Sequence, residues 1–189
     1  MHSDHHRDPD TLAAGLDDVR RSPRDSGVLE MVVVRPAPGE RRVLDVAQVV
    51  PGKGIDGDTW DQRGSSRTPD GGPNPDAMVT VMNSRAVDLV AGSRERWPLA
   101  GDQLYVDLDL STENLPDGTR LTIGEAELEV TAAPHTGCAQ FKERFGVEAL
   151  RLTATPDGRF LRLRGINTRV VRAGTVQPGD TVVVTRPRA

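Results

Sequence analysis

The fold class is decided by one stretch, Thr119-Arg120-Leu121-Thr122-Ile123-Gly124-Glu125-Ala126-Glu127-Leu128-Glu129-Val130-Thr131-Ala132. Apolar and polar side chains alternate along both halves, a period of two that is typical of half-buried β-strands. Gly124-Glu125 lies between the halves, where a two-residue connection favours a tight hairpin turn. The stretch therefore predicts an antiparallel hairpin formed by Thr119–Ile123 and Ala126–Ala132.

Other segments are also rich in apolar residues and bounded by turn-forming residues, which predicts further strands. These predicted strands are Val28–Arg35, Arg42–Val50, Ala77–Met82, Leu104–Leu108, Phe160–Leu163, Asn167–Val171 and Thr181–Thr185. The first two flank a turn at 36–40, so we expect them to pair antiparallel.

Helix signals are fewer and do not alternate with the strands. They predict one helix starting at Asp8-Pro9, one capped by Asn83 and ending before Gly92, and two near 138–145 and 147–152 that Gly146 separates. About eight short strands with three or four short helices are typical of a closed or partly closed sheet. We therefore predict a mainly β, barrel-like fold with antiparallel or mixed strands.

The chain length of 189 residues suits one domain. Residues 1–27 are expected to form a polar tail and a short helix, and residues 28–189 the domain itself. Residues 61–76 lack apolar core formers and predict a long surface loop, which is either a functional lid or a disordered insert.

Composition excludes several function classes. The net charge of −4 argues against a nucleic-acid partner. No run approaches the roughly 18 apolar residues that a membrane span requires, so no membrane partner is expected. A single cysteine fits a reducing compartment, and we expect a cytoplasmic protein. Outside the tail only His135 and Cys138 are available as soft ligands, which excludes structural zinc and iron–sulfur sites.

Cys138 is the leading candidate for chemistry. Turn-forming residues precede it and a short helix follows, so its thiol is expected at a helix N-terminus, where the thiolate is favoured. Lys142 lies one turn further along and would stabilise the negative charge, unless it is simply a solvated side chain. His135, three residues before Cys138, is a candidate proton donor or a loop residue that caps a carbonyl. The alternative for Cys138 is a buried thiol that packs as a small hydrophobe.

Gly52-Lys53-Gly54-Ile55-Asp56-Gly57 matches the spacing of a dinucleotide-binding glycine motif. That motif needs a helix to open at its third glycine, whereas Asp58-Thr59-Trp60 and the long loop follow here. A dinucleotide site is therefore not expected.

The same residues match another pattern better. Gly54-Ile55-Asp56-Gly57-Asp58 resembles the Gly-Leu-x-Gly-Asp segment of MOSC domains, the family named for the C-terminal domain of molybdenum cofactor sulfurases. Gly101-Asp102-Gln103-Leu104 resembles the family's Gly-Glu-Asn-Leu segment, and Pro134 to Cys138 stands where the family has a proline and then its functional cysteine. Residues 110–124, 164–170 and 174–180 resemble its remaining segments in the same order. The resemblance extends over roughly residues 28–185.

Two segments depart from the family pattern. The common Pro-Arg-x-Pro-Cys approach to the cysteine is Pro134-His135-Thr136-Gly137-Cys138 here, so that histidine replaces an arginine. Asp102 and Gln103 replace the Glu and Asn of the other segment.

The resemblance implies a β-rich fold and a site for the molybdenum cofactor. It implies that Cys138 either ligates molybdenum or carries sulfur, for sulfur transfer or for reduction of N-hydroxylated compounds. His135 and Lys142 would assist as catalytic residues. Asp58, Arg164 and Arg169 fall in family motifs and are candidates for binding the cofactor, the arginines through its phosphate.

The resemblance also suggests partners. A cysteine desulfurase or a redox protein would act with this chain. Pyridoxal phosphate, which full-length sulfurases carry in an upstream desulfurase domain, is expected only on such a domain or on a partner.

The residues themselves are compatible with two other functions. The first is a non-catalytic module that binds the cofactor or a partner protein. The second is a cofactor-free Cys/His hydrolase or thiol peroxidase, which needs a base within reach of the Cys138 sulfur.

Overall fold

A computed structural model describes residues 6–188 of the chain. The first residues of the predicted polar tail and the final Ala189 lie outside that range. Strands carry most of the architecture, and their bounds are β1 (Ser26–Val34), β2 (Arg42–Leu44), β3 (Ala47–Val50), β4 (Gly54–Ile55), β5 (Val79–Asn83), β6 (Leu104–Asp107), β7 (Arg120–Ile123), β8 (Ala126–Val130), β9 (Ile166–Arg172), β10 (Gly174–Val176) and β11 (Thr181–Thr185).

Seven of the strands in the described range close into a barrel. Their order is β11-β7-β8-β9-β5-β6-β1, and β1 pairs with β11 to complete the ring. Strands β5 and β6 run parallel, whereas the other neighbours in the ring run antiparallel. Strand β2 extends the sheet beside β1, and β10, β3 and β4 form a separate small sheet. The predicted mainly β, barrel-like fold is therefore confirmed.

The predicted hairpin is the β7–β8 pair. Leu121 lies opposite Leu128 and Ile123 opposite Ala126, and all four side chains are buried. The alternating charged residues lie on the opposite face, as the period of two requires. The apolar sides of the other barrel strands join this cluster, so burial of one sheet face forms the main core.

Five α-helices occupy the described range. They are α1 (Pro9–Ala14), α2 (Leu16–Arg20), α3 (Ser84–Ala91), α4 (Ala139–Ala154) and α5 (Pro156–Phe160). The predicted N-terminal helix is divided at Gly15. Gly146 interrupts α4 with a φ of 92°, as predicted, so α4 consists of two helical pieces. A second core cluster joins α1, α3 and α4 through Leu12, Val87 and Phe145.

The strand predicted over Phe160–Leu163 was wrong. This segment contains the end of α5 and the turns that follow it. Helix α5 forms because Pro156 occupies its first turn and the hydroxyl of Thr155 accepts a hydrogen bond from the N–H of Gly158. Leu161 and Leu163 are buried against the N-terminal helices rather than in the sheet.

The predicted strand Arg42–Val50 is divided into two. Residues 42–44 pair antiparallel with β1, as predicted. Residues 47–50 pair instead with β10 and β4 of the small sheet. The bend between them directs the chain from one sheet to the other.

The long loop is stabilised by hydrogen bonds of its own. One-turn 3-10 helices cover Trp60–Gln62 and Pro75–Ala77, and the hydroxyl of Thr68 donates a hydrogen bond to the Gly72 carbonyl at 2.6 Å. Arg67 donates from Nη1 to the Pro134 carbonyl at 3.0 Å, which joins the loop to the segment before Cys138. No helix within residues 6–188 is long and apolar enough to cross a membrane.

Candidate functional site

Cys138 lies at the N-terminus of α4, where sequence analysis placed it. The residue has extended backbone angles, φ −125° and ψ 177°, and is the N-cap of the helix. Its side chain is exposed, so the thiol does not pack in the core. Within residues 6–188 no hydrogen bond involves its sulfur atom, and His135 is not paired with it as a thiol–imidazole dyad requires.

A cavity of about 480 Å³ lies beside the segment that leads from β8 to Cys138. Residues 131–137 form one wall, the second piece of α4 contributes Leu150 and Thr153, and the chain after α5 contributes Arg162 and Arg164. Cys138 itself is not part of the lining, although the adjacent Gly137 is. The thiol therefore lies one residue beyond the cavity wall.

His135, Asp102 and Arg164 form a cluster, of which His135 and Arg164 line this cavity. Nε2 of His135 lies 2.6 Å from Oδ1 of Asp102, and Arg164 forms an ion pair with the other carboxylate oxygen. Asp102 is fully buried, and the side chain of Arg164 is only 8% exposed. The guanidinium group of Arg164 also lies over the ring of Phe141 in α4, 5.0 Å from its centroid. These contacts join three distant parts of the sequence.

The cluster sets the charge of both titratable groups. Burial raises the pKa of Asp102, but Arg164 and His135 outweigh this effect and lower the pKa to about 2. Burial and the nearby Arg164 charge lower the pKa of His135 below its usual value, although Asp102 opposes them. Near neutral pH an anionic Asp102 therefore faces a neutral His135. Nε2 of His135 also lies 3.0 Å from Nη1 of Arg164. In the tautomer that fits the shorter contact with Asp102, Nε2 donates its hydrogen to Asp102 and Nδ1 keeps a lone pair.

Gly165 makes the close approach in this cluster possible. Its φ is +99°, and a Cβ atom there would lie 2.5 Å from the Val81 carbonyl oxygen and 3.1 Å from Cδ2 of His135. A side chain at this position would displace the histidine ring from Asp102. Arg164 thus supplies the cation of the cluster, and Gly165 leaves the space that the His135 ring needs.

The segment 99–102 connects this cluster with a second group of arginines. Arg144 donates to the Leu99 carbonyl at 2.7 Å, Arg164 to the Ala100 carbonyl at 2.9 Å, and Arg35 to the Gly101 carbonyl at 3.3 Å. Three guanidinium groups from different elements therefore converge on consecutive carbonyl groups.

Four arginines, Arg35, Arg41, Arg63 and Arg144, form what we call the arginine cluster, in which the pKa values of Arg41 and Arg63 respond to neighbouring guanidinium charges. Burial, followed by the charges of Arg144, Arg35 and Arg63, lowers the pKa of Arg41. Burial and Arg35 likewise lower the pKa of Arg63. Among residues 6–188, only Arg35 of the four forms an ion pair with a carboxylate, and Nε of Arg41 is buried without a hydrogen-bond partner. The cluster therefore carries excess positive charge.

The remaining predicted residues lie outside the cavity. Asp58 is buried and accepts two hydrogen bonds from the guanidinium group of Arg35, at 3.0 and 3.1 Å, and one from its backbone N–H at 2.8 Å. Asp58 thereby holds Arg35 within the arginine cluster. Arg169 pairs with Asp76 at 2.9 Å and Glu129 at 3.5 Å on the surface. Lys142 is exposed, and its backbone N–H donates to the Cys138 carbonyl at 3.0 Å.

Sequence analysis did not identify Asp102 as a partner of His135, nor Arg41 and Arg144 as members of a charge cluster. The segment that begins with Gly101-Asp102 was the one sequence feature that could have marked Asp102 as a site residue. No local signal marks the arginines. Within the part of the chain that the structure describes, no group of three or more His, Cys, Asp or Glu side chains is placed to hold a metal ion.

Comparisons with known proteins identify the fold and the family. The model of the MOSC domain matches residues 71–183. YuaD from Bacillus subtilis is similar in structure, with a TM-score of 0.61 and 20% identity over 86% of this chain and 97% of that chain. YiiM from Escherichia coli has a TM-score of 0.54 and 16% identity over 86% of this chain and 71% of that chain. YiiM from Geobacillus stearothermophilus has a TM-score of 0.51 and 14% identity over 87% and 75% of the two chains. No match was found among the curated proteins compared with this sequence.

Proposed function

The chain belongs to the MOSC domain family, and from this premise we propose that it binds the molybdenum cofactor, with Cys138 as the protein ligand to molybdenum or as a carrier of sulfur. The observation that carries the proposal is the exposed thiol of Cys138, directly beyond the wall of a cavity that contains His135 and Arg164. An exposed thiolate is a soft ligand, which suits both molybdenum and persulfide chemistry.

The unpaired arginines fit the anionic part of this cofactor. Arg41, Arg63 and Arg144 lack carboxylate partners within residues 6–188, and a buried Nε of Arg41 has no acceptor. Guanidinium groups match a phosphate in both charge and hydrogen-bond geometry. We assign the phosphate contact to these three residues, with Asp58 holding Arg35 in place. Arg164 would contact the cofactor only through Nε, which is buried without a hydrogen-bond partner in residues 6–188, because Asp102 occupies Nη1 and the Ala100 carbonyl occupies Nη2. Arg169 is not assigned to the phosphate, because its guanidinium group already pairs with Asp76 and Glu129.

The bound cofactor would supply a redox-active metal centre. The chain's own residues supply the remaining functions. Cys138 presents the sulfur atom, and Lys142 lies one turn further along α4. Nδ1 of His135 accepts or returns a proton, because Asp102 fixes Nε2 as the hydrogen-bond donor. Asp102 and Arg164 are positioning residues, since they act through His135.

Two reactions suit this arrangement, namely sulfur transfer and reduction of an N-hydroxylated compound. Sulfur transfer needs a cysteine desulfurase as a donor, and reduction needs a redox partner. Pyridoxal phosphate would belong to the desulfurase. The alternative function is a module that binds the cofactor without turnover, in which case Cys138 is dispensable.

The test compares the full-length chain with C138S after expression in cells that make the cofactor. Metal analysis measures molybdenum per chain, and labelling with a thiol-reactive probe followed by mass spectrometry measures persulfide after incubation with a cysteine desulfurase and cysteine. The variant Q140A is the matched control, since Gln140 is exposed in the first turn of α4, has no assigned role and leaves the thiol in place.

Molybdenum or persulfide that is present in the wild type and lost in C138S supports the proposal. Molybdenum retained in full by C138S, without persulfide on the wild type, supports the binding module instead. Absence of both molybdenum and persulfide from the wild-type chain overturns the proposal.

A further inference from the structure

We propose that the 480 Å³ cavity beside Cys138 binds a small organic acid, with the charged group of the acid held by Arg159 and Arg162. The inference rests on the proposed function, because it names the substrate class of the same site. It concerns the cavity and not the arginine cluster, to which the cofactor phosphate is assigned.

The charges that line the cavity favour an anion. Arg159, Arg162 and Arg164 contribute three positive charges, whereas Asp117 is the one carboxylate in the lining. Arg164 is neutralised by Asp102. The side chain of Arg159 makes no ion pair or hydrogen bond with any group in residues 6–188, so its guanidinium group is available to a ligand.

Arg162 is fixed toward the cavity by its own contacts. Its Nη1 donates to the Leu115 carbonyl at 2.7 Å, and its Nη2 lies 3.6 Å from Asp117, at the outer limit of an ion pair. Burial lowers the pKa of Arg162, and the charge of Asp117 opposes this only partly. A ligand carboxylate or phosphate beside it would compensate the buried charge.

The backbone of Arg162 supports a role beyond stability. Its φ is +48°, and Arg162 is the one residue other than glycine with a positive φ within residues 6–188. This conformation is unfavourable for an L-residue with a side chain, and such residues concentrate at functional sites. The strained residue is thus one whose side chain lines the cavity.

The rest of the lining is partly apolar. Pro134, Leu150 and Ile166 provide apolar contacts beside the polar Thr153 and Asn167, and the cavity volume lies within the range that small-molecule sites occupy. A neutral polar ligand would leave Arg159 and Arg162 unmatched, and a cation would be repelled. A carboxylate or a phosphate monoester on a compact apolar body satisfies both parts of the lining.

The test titrates the full-length chain with benzoate, phenyl phosphate and the neutral isostere benzamide, and follows the backbone amide signals of Thr136 and Gly137 by NMR. Both residues line the cavity. We expect saturable shifts with benzoate or phenyl phosphate and none with benzamide. The tighter of the two anions identifies the charged group.

The decisive variant is R159Q, which should fold normally because Arg159 is exposed and has no side-chain partner in the described chain. We expect it to weaken binding of the anion at least tenfold, about 1.4 kcal/mol. R151Q is the matched control, since Arg151 is exposed on α4 and pairs with Glu148 outside the cavity. R41Q should leave these shifts unchanged, because Arg41 belongs to the arginine cluster.

Equal binding of benzamide, unchanged binding in R159Q, or no saturable shift with either anion overturns the inference. The C138S variant separates this outcome from the proposed function. We expect C138S to lose molybdenum or persulfide and still bind benzoate. Normal molybdenum loading combined with no anion binding would reject the cavity ligand alone.

Discussion

Oδ1 of Asp102 lies 2.6 Å from Nε2 of His135, although 33 residues separate them in the sequence. Both positions depart from the common MOSC pattern, in which a glutamate and an arginine stand at the corresponding places. The structure shows that these departures are in direct contact. A shorter carboxylate is therefore matched with a smaller, titratable partner.

The first prediction concerns Asp102. In D102N, Arg164 and His135 would lose the only carboxylate that they contact in the described chain, which leaves a buried guanidinium charge unpaired. We expect the free energy of unfolding to fall by about 3 kcal/mol, measured by urea denaturation at pH 7.

The matched control for this variant is D56N, because Asp56 pairs with Lys53 at the surface and should contribute little. The pKa of Asp102 is about 2, below the usual aspartate value of 3.8. The stability that ionised Asp102 contributes is thus complete above about pH 4 and is lost as pH falls through 2. A D102N variant as stable as D56N would show that the cluster does not stabilise the fold.

A second prediction concerns the pH dependence of stability near neutrality. The pKa of His135 is lowered in the folded state, first by burial and then by Arg164, so the unfolded chain binds a proton more readily. Stability should therefore fall as pH is reduced from 7 to 5. Urea midpoints across this range measure the slope.

The variant H135Q keeps a polar side chain at this position but cannot titrate. We expect a smaller loss of stability between pH 7 and 5 in H135Q than in the wild type. If both proteins lose the same amount, protonation of His135 is not coupled to folding.

Most of the barrel was predictable because its signals are local. The β7–β8 hairpin follows from alternation around Gly124-Glu125, and the start of α4 follows from the turn residues before Cys138. The error at 160–163 has a local cause as well. Phe160, Leu161 and Leu163 are apolar at a spacing that fits a short strand or a helix end, and the cap at Thr155 decides between them.

The site was less predictable because its contacts are distant in sequence. Asp102 meets Arg164 across 62 residues, and Arg35 meets Gly101 across 66 residues. Closure of the barrel by β1 and β11 and the parallel pairing of β5 with β6 bring these segments together. No periodicity in the sequence encodes such pairings, so Arg41 and Arg144 gave no signal of their own.

A third prediction tests the space that Gly165 provides. A methyl group in G165A would overlap the Val81 carbonyl and press on His135, in addition to the strain of a φ of +99°. G179A is the matched control, because Gly179 has a φ of +97° and open space around its Cβ position. We expect G179A to cost about 1 kcal/mol from strain alone and G165A at least about 1 kcal/mol more.

Urea denaturation of the two variants measures this difference. The pH profile of G165A should also lose part of the His135 contribution, since the ring would be displaced from Asp102. If the two substitutions destabilise the protein equally, glycine is needed at position 165 for its backbone conformation and not for the space beside Val81 and His135.

The last prediction concerns the arginine cluster. Arg41 is partly buried near three other arginines, so inorganic phosphate should raise the melting temperature of the wild type more than an equal ionic strength of chloride does. In R41Q the extra rise in melting temperature that phosphate gives over chloride should shrink, because the site loses one of its donors. The melting temperature of R41Q in chloride should stay the same or rise, because repulsion between the arginines is relieved.

R42Q is the matched control, since Arg42 is the exposed neighbour of Arg41 in the chain. Thermal denaturation in the two salts gives both quantities for each variant. If R41Q keeps the full rise in melting temperature that phosphate gives over chloride, or if R42Q loses it, the anion binds elsewhere on the surface.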